Sequence, residues 1–289
     1  MPRYVTADSL VILSALDPVA TAVGARWGTP PATGFQVDGA PVRRLNASTL
    51  LLRRPGPHVR DESLDRRLPR ELRAARPTVV FVSIHRSEQQ VECLTVHPLG
   101  NFGASAEIGG RPFSVVPTDP MRMAAALRGL AEGGPASGLR ASYEATHHGP
   151  YLELPAFFAE IGFGTKPGPS PAAVDLLAAV VADLRPEPTD VVALAVGGGH
   201  YAPHFTDLAV RRRWAFGHLV SRHALPGLTA EVARAAWAAT PGSTGLVYAR
   251  AQDAELPALR GLGPRRRDQD APERSPGTTG DAGRPAFGT

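Results

Sequence analysis

The 289-residue sequence predicts a layered α/β protein, and three observations carry that reading. Short apolar runs with strand character alternate with segments of helical period, the order that builds a covered, mostly parallel sheet. Two runs, Thr78-Val79-Val80-Phe81-Val82-Ser83-Ile84 and Asp190-Val191-Val192-Ala193-Leu194-Ala195-Val196, are apolar on both faces, as at the centre of a sheet covered on both sides. Helix starts are marked as well, because Pro18, Pro120 and Pro171 each fit a first helical turn.

Taken in order, residues 9–15 read as a buried strand, followed by a helix that Asp17-Pro18 opens and Val19, Ala22 and Val23 anchor. Residues 49–53 read as the next strand. Residues 53–76 are rich in Arg and Pro, and Leu64, Leu68 and Leu72 predict one short amphipathic helix within a solvated connector. Strands follow at 78–84 and from Val91 to His97, closed by Pro98. A helix is expected over 120–132, stopped by Gly133-Gly134-Pro135. Ser170 can cap a second helix over 170–184, whose face is Val174, Leu177, Val181 and Leu184. A strand over 190–196 runs into Gly197-Gly198-Gly199-His200. Helices are expected near 207–222 and 228–238, and a last strand from Gly245 to Arg250. The domain reading is an N-terminal α/β part with its connector (1–76) packed on a catalytic core (77–261), then a tail (262–289) too poor in apolar residues to order.

Composition narrows the class further. Hydrophobic residues make up 43% and charged residues 20%, which excludes wholesale disorder. No apolar run approaches the roughly 20 residues of a membrane span, and the start lacks the pattern of a secretory signal. The expected location is the cytoplasm, with no membrane and no stable protein partner. Cys93 is the single cysteine, so any metal must be held by His, Asp or Glu. Net charge is +4, and Lys166 is the only lysine among 31 basic residues. That arginine bias fits a GC-rich coding sequence, or an anionic partner bound through bidentate guanidinium contacts.

Six of the nine histidines fall in three clusters at ends of expected strands. The first is Ser83-Ile84-His85-Arg86-Ser87, with Thr95-Val96-His97-Pro98-Leu99-Gly100-Asn101 close behind. The second is Glu144-Ala145-Thr146-His147-His148-Gly149-Pro150. The third is Gly197-Gly198-Gly199-His200-Tyr201-Ala202-Pro203-His204. Open α/β sheets place sites beyond strand carboxyl ends, so the clusters are expected to meet in one pocket. A carboxylate three residues before paired imidazoles suits zinc or general acid–base work. In an extended segment His147 and His148 would point apart. His58, His218 and His223 read as surface or core-edge residues. The glycine run lacks the acidic residue of a dinucleotide fold and reads as a backbone nest for an anion or oxyanion.

Together these strings, with Phe158-Ala159-Glu160-Ile161-Gly162, resemble the archaeal and plant type of D-aminoacyl-tRNA deacylase from about residue 78 to 220. The chain reads as a divergent member: Ile84 stands where the family usually has Arg, Phe163 where it has Ser, and Ser243-Thr244-Gly245 where it has Trp-Lys-Gly. The resemblance implies a three-layer α/β/α fold with a mixed, largely parallel sheet, similar to phosphorylases, peptidyl-tRNA hydrolase and zinc exopeptidases. It implies zinc, and hydrolysis of the ester between a D-amino acid and tRNA. On that basis His147 or Glu144 is the expected base, with Gly198 and Gly199 donating to an oxyanion. His85, His97, His148 and His200 are the expected metal ligands. Arg86, Ser87, Asn101 and Tyr201 are expected to bind substrate, and Arg211, Arg212 and Arg213 to meet tRNA phosphates. The alternatives are a metal-dependent hydrolase of another ester or amide, and a non-catalytic RNA-binding relative.

Overall fold

A computed structural model describes residues 7–87 and 89–273 of the chain. The N-terminal third runs β1 (Ser9–Ser14), α1 (Pro18–Trp27), β2 (Ala32–Val37), β3 (Ala40–Arg44), β4 (Thr49–Arg54), α2 (Leu64–Arg67) and α3 (Arg70–Ala75). The middle runs β5 (Thr78–Ile84), β6 (Glu92–Pro98), β7 (Gly100–Asn101), β8 (Ser114–Val115), α4 (Pro120–Ser137), β9 (Ala141–Tyr143) and β10 (Ala156–Phe163). The last part runs α5 (Pro171–Ala182), β11 (Val191–Val196), α6 (Pro203–Arg211), β12 (Trp214–Val220), α7 (Ala230–Ala238) and β13 (Gly245–Tyr248).

Eight strands form one mixed sheet in the order β2-β3-β4-β1-β5-β10-β6-β9. Pairs β1–β4, β1–β5, β5–β10 and β6–β9 are parallel, while β2–β3, β3–β4 and β6–β10 are antiparallel. A second, parallel sheet has the order β12-β11-β13. Strand alternation sorts the core into two faces. Val11, Leu13, Val80, Val82, Phe157 and Ala159 face α1, α4 and α5. Leu10, Ile12, Val79, Phe81 and Phe158 face the opposite layer, where Leu64, Leu68 and Leu72 of the connector pack. The layered α/β expectation therefore holds, with a thin outer layer on the second face.

Several expectations need correction. The three connector leucines are buried as a helical stripe predicts, but Pro69 splits their helix into α2 and α3. α4 does not stop at Gly133-Gly134-Pro135; it continues to Ser137 and ends on Gly138 at φ 74°. The reason is packing: a Cβ on Gly133 would lie 2.3 Å from Leu176 Cδ1 of α5, so the glycines let the two helices approach. The helix expected over 207–222 is instead the end of α6 and all of β12, whose seven residues are buried between neighbours. β10 was not foreseen as a strand, and neither was the β2–β3 hairpin. Its turn is Asp38-Gly39, at φ 49° and 78°, the left-handed pair that a tight hairpin turn requires.

Both expected domain boundaries also shift. β1 lies between β4 and β5, so the described residues up to 76 share one sheet with the core rather than packing on it as a separate part. The tail does not begin at 262. Leu246 N donates to Pro264 O, Arg266 N donates to Leu246 O, and Ala271 is fully buried. Residues 274–289 of the expected tail lie outside the described residues.

Candidate active site

The three histidine clusters converge, and the backbone explains how. After β9 the chain continues as an extended thread through residues 144–148. Glu144 N donates to Val96 O (3.0 Å), Ala145 N to His200 O (2.8 Å), and Thr146 N to Leu219 O (2.9 Å). Gly100 N donates back to His148 O at 2.8 Å. This thread brings the ends of β5, β6, β9 and β11 to one place. The other end of the β5 contribution is fixed by Asp17, which caps α1 and accepts from Ser83 Oγ and Ile84 N at 2.9 Å each.

Both adjacent histidines enter the site, contrary to the expectation for an extended pair. His148 sits at φ 41°, in the left-handed region, and this turns its ring back toward its neighbour. The centroids of His147 and His148 are 4.4 Å apart, and they lie 4.1 and 4.9 Å from His97. His97 stacks flat on Phe158 at 5.0 Å. Nδ1 of His97, His147 and His148 each meets a backbone carbonyl, of Pro98, Ala145 and Gly149 respectively. That arrangement commits Nδ1–H and turns Nε2 of each ring inward. His97 Nε2 is buried without a hydrogen-bond partner.

A second layer is acidic. Glu144 is fully buried, with Oε1 3.0 Å from His85 Nδ1 and Oε2 3.0 Å from His200 Nε2 and 3.7 Å from His147 Nε2. None of these contacts satisfies hydrogen-bond geometry, so both oxygens keep lone pairs for another partner. Glu160 of β10 lies 3.5 Å from His85 Nδ1 and 3.7 Å from His97 Nε2. His85 Nε2 meets the Tyr201 hydroxyl at 2.7 Å.

Protonation divides this cluster. Burial raises the cost of charge on Glu144 and Glu160, but the imidazoles beside them outweigh it, and both stay ionised below the usual carboxylate range. Burial also opposes charge on His85, yet its contacts with Glu144 and Glu160 lift its pKa to about 10. At His97 burial is likewise overcome by Glu160. Burial, reinforced by His97, pushes His147 well down and His148 to about 4. Two carboxylates thus face a protonated His85 and favour the charged form of His97, while burial favours the neutral forms of His147 and His148.

Among the described residues, three groups bring ligand atoms within 4.8 Å of one another: His97, His147 and His148; Glu144, His147 and His200; and His85, Glu144 and Glu160. The four expected metal ligands therefore do not form one set. His147, expected as a base, joins His97 and His148. Glu160 was missed by residue-level reasoning, although a lone acid inside the apolar run from Ala156 to Phe163 is the signal that finds it.

Two cavities open at this cluster. One, of about 640 Å³, is lined by Arg86, Ser87, Gly198, Gly199, His200 and Tyr201, with residues of α6 beyond. The other, of about 490 Å³, reaches from Leu16 and Ile108 to His147, His148 and Glu160. Asn101 takes no place in either; its Nδ2 donates to Gly109 O and Arg111 O and braces that loop. Arg211, Arg212 and Arg213 lie away from both cavities and are paired at the surface with Asp207, Glu273 and Asp190. His58 and His218 are buried rather than at the surface, and His223 is exposed.

Comparison with known proteins identifies the family. The D-aminoacyl-tRNA deacylase family matches residues 73–256. A D-aminoacyl-tRNA deacylase of Pyrococcus abyssi is 34% identical over 198 residues, covering 67% of this chain and 72% of that relative. One of Thermoplasma acidophilum is 35% identical over 173 residues, covering 60% of this chain and 67% of it. One of Methanoregula boonei is 48% identical over 145 residues, which are 50% of this chain and 32% of that relative. The chain thus spans from about a third to about seven tenths of these relatives. The crystal structure of a conserved protein of unknown function shares the fold, with a TM-score of 0.75, 24% identity, and coverage of 89% of this chain and 90% of that one. With the family's match spanning well over half its length, the chain belongs to the D-aminoacyl-tRNA deacylase family.

Proposed function

We propose that the chain hydrolyses the ester that joins a D-amino acid to the 3′-terminal ribose of tRNA. Family membership supports the substrate class. The observation that carries the chemistry is the Glu144–His200 pair, set where the two cavities meet. Glu144 is wholly buried and ionised, and its Oε2 lies 3.0 Å from Nε2 of His200. His200 is the more exposed partner and lines both cavities, which leaves Nδ1 for a substrate or a water molecule.

In this mechanism His200 is the base and Glu144 the group that orients it, the division of labour of a buried carboxylate behind an imidazole. Nδ1 of His200 takes a proton as the water oxygen attacks the ester carbonyl. The tetrahedral intermediate collapses, the bond from carbonyl carbon to ribose oxygen breaks, and His200 returns the proton to that oxygen.

The residues present also fit a zinc ion. His97, His147 and His148 would hold it, each ring steered by a carbonyl on Nδ1, as metal-binding histidines are. When bound, such an ion supplies a water of pKa about 7 and polarises the ester carbonyl. Ligation requires His97 to release the proton that Glu160 favours, so uptake is coupled to proton release. Among the described residues no helix is long and apolar enough to cross a membrane, and a role on aminoacyl-tRNA is a cytoplasmic one.

The test is deacylation of paired D- and L-aminoacyl-tRNAs by the full chain and by His200→Ala. The expected result is release of the D-amino acid only, with kcat lowered at least 100-fold in the variant. Failure of the parent on every D-aminoacyl-tRNA refutes the reading and favours hydrolysis of another ester or amide, or RNA binding alone.

A further inference from the structure

The two cavities differ in chemistry. Among its described lining residues the 640 Å³ cavity has no carboxylate and presents Arg86, Arg222, His204 and His223. Arg86 and Arg222 have no carboxylate partner among the described residues; the Arg222 guanidinium meets the ring of His223 at 3.4 Å, and its backbone N donates to Gly198 O at 2.9 Å. Gly198 and Gly199 line the cavity and follow a turn in which Gly197 and Gly198 lie at φ 90° and 85°. A Cβ on Gly197 would lie 2.5 Å from Asp253 Oδ2, so a side chain is excluded there by both conformation and space. Gly198 N and Gly199 N have no acceptor within the described protein. Backbone donors without an acceptor, beside two guanidinium groups with no carboxylate partner among the described residues, form a site for a phosphate. Tyr201 and His204 add flat rings of the kind on which a base stacks.

The 490 Å³ cavity is different. Leu16, Pro57, Val59, Ile84 and Ile108 give it apolar walls. Its acids are already engaged: Asp17 by the α1 cap and β5, Glu160 by His85 and His97. Leu16 and Ile108, 69% and 59% exposed, both line this cavity and add apolar surface to its mouth. His200 and Arg86 line both cavities.

From this we infer that the cavities divide the substrate, the Arg86–Arg222 cavity taking the phosphorylated terminal nucleoside and the Leu16–Ile108 cavity the side chain of the amino acid. The ester then spans His200, between them. The inference rests on the deacylase reading for the identity of the acyl group. It assigns the Gly198 and Gly199 donors to a phosphate rather than to the oxyanion expected from sequence. Both cavities fall within the size range of small-molecule sites.

The test separates the two cavities and also separates this inference from the deacylase reading. Adenosine 5′-monophosphate is titrated calorimetrically into the full chain, Arg222→Gln and Ile108→Trp, and deacylation of D-tyrosyl- and D-alanyl-tRNA is measured on the same proteins. Both substitutions are at exposed positions, so the fold is retained. The expected result is that the nucleotide binds the parent and competes with tRNA. Arg222→Gln weakens nucleotide binding about tenfold and leaves the tyrosyl-to-alanyl rate ratio unchanged. Ile108→Trp leaves nucleotide binding unchanged and lowers that ratio at least fivefold. The inference is overturned if the nucleotide does not bind, binds without competing, is unaffected by Arg222→Gln, or is displaced by Ile108→Trp. A parent that deacylates nothing refutes the deacylase reading alone, and the calorimetric result still decides the nucleotide cavity.

Discussion

His218 gives the site a built-in acid sensitivity that can be isolated. The residue is fully buried in β12, and burial pushes its pKa down to about 3. Its Nδ1 meets Thr146 Oγ1 at 3.1 Å, and that oxygen also accepts from Leu219 N at 3.0 Å. The Thr146 hydroxyl proton is therefore free to donate to His218 Nδ1, which fixes the threonine beside His147. Above about pH 6.5 neither folded nor unfolded chain holds a proton on His218, and it adds no pH dependence. Between about pH 6.5 and 3 only the unfolded chain takes up the proton, so stability falls as pH falls. The whole span is equivalent to about 5 kcal/mol, of which about 2 kcal/mol is lost by about pH 5. Replacing His218 with Asn keeps an acceptor near the Nδ1 position and removes the titration. Urea unfolding followed by tryptophan fluorescence, at about pH 7.5 and about pH 5, reads the effect. The parent is expected to lose about 2 kcal/mol more than His218→Asn over that interval. Parallel losses would refute the reasoning, whatever the variant's stability at neutral pH.

Other expectations follow from the same geometry. Glu144→Gln removes the charge that orients His200 and should lower kcat by about 100-fold or more, as steady-state deacylation will show, and should lower Tm as well, because it takes a carboxylate from buried His85. His97→Ala takes one imidazole from the three-histidine group and should abolish stoichiometric zinc uptake by metal analysis of the dialysed chain; unchanged uptake would exclude that group as the site. A chain ending at residue 261 loses the strand pairing of Leu246 and the burial of Ala271. It should melt about 5 °C below one ending at 273. Gly149→Ala places a Cβ 2.0 Å from Gly110 N. It should cost about 1–3 kcal/mol in urea unfolding and displace the 108–111 loop from the Ile108 wall.

What could be foreseen depended on whether local pattern and tertiary packing agreed. β1, β5 and β11 were legible because each is a continuous apolar run bounded by turns, and α1 and α5 because Asp17 and Ser170 cap them. β12 was misread because only Arg212 and Arg213, and no Gly or Pro, separate the end of α6 from Trp214. α4 outran its apparent stop because Gly133 serves contact with Leu176, a partner 43 positions away in the chain. In the site, the convergence of His85, His97, His147, His148 and His200 was readable from their positions at strand ends. Their grouping was not, because it depends on the left-handed backbone at His148 and on Glu160, which reaches His85 and His97 across β5 and β6.

The position of β1 bears on how this protein can be cut and how it can diverge. Family likeness starts at residue 73, yet β5 reaches its full pairing only through β1, by the register Ser9 with Thr78 to Leu13 with Val82. A fragment excised at the point where likeness begins would bare the backbone edge of Val79, Val80, Phe81 and Val82, a template for pairing with other chains. It would also forfeit Asp17, the clasp on Ser83 and Ile84 just before His85. Recognisability and autonomy are thus separate properties of this chain. Main-chain pairing constrains side chains only weakly, so residues 9–54 can change their letters while keeping their place. A stretch that looks dispensable by similarity is the scaffold that keeps the recognisable part soluble and aligned.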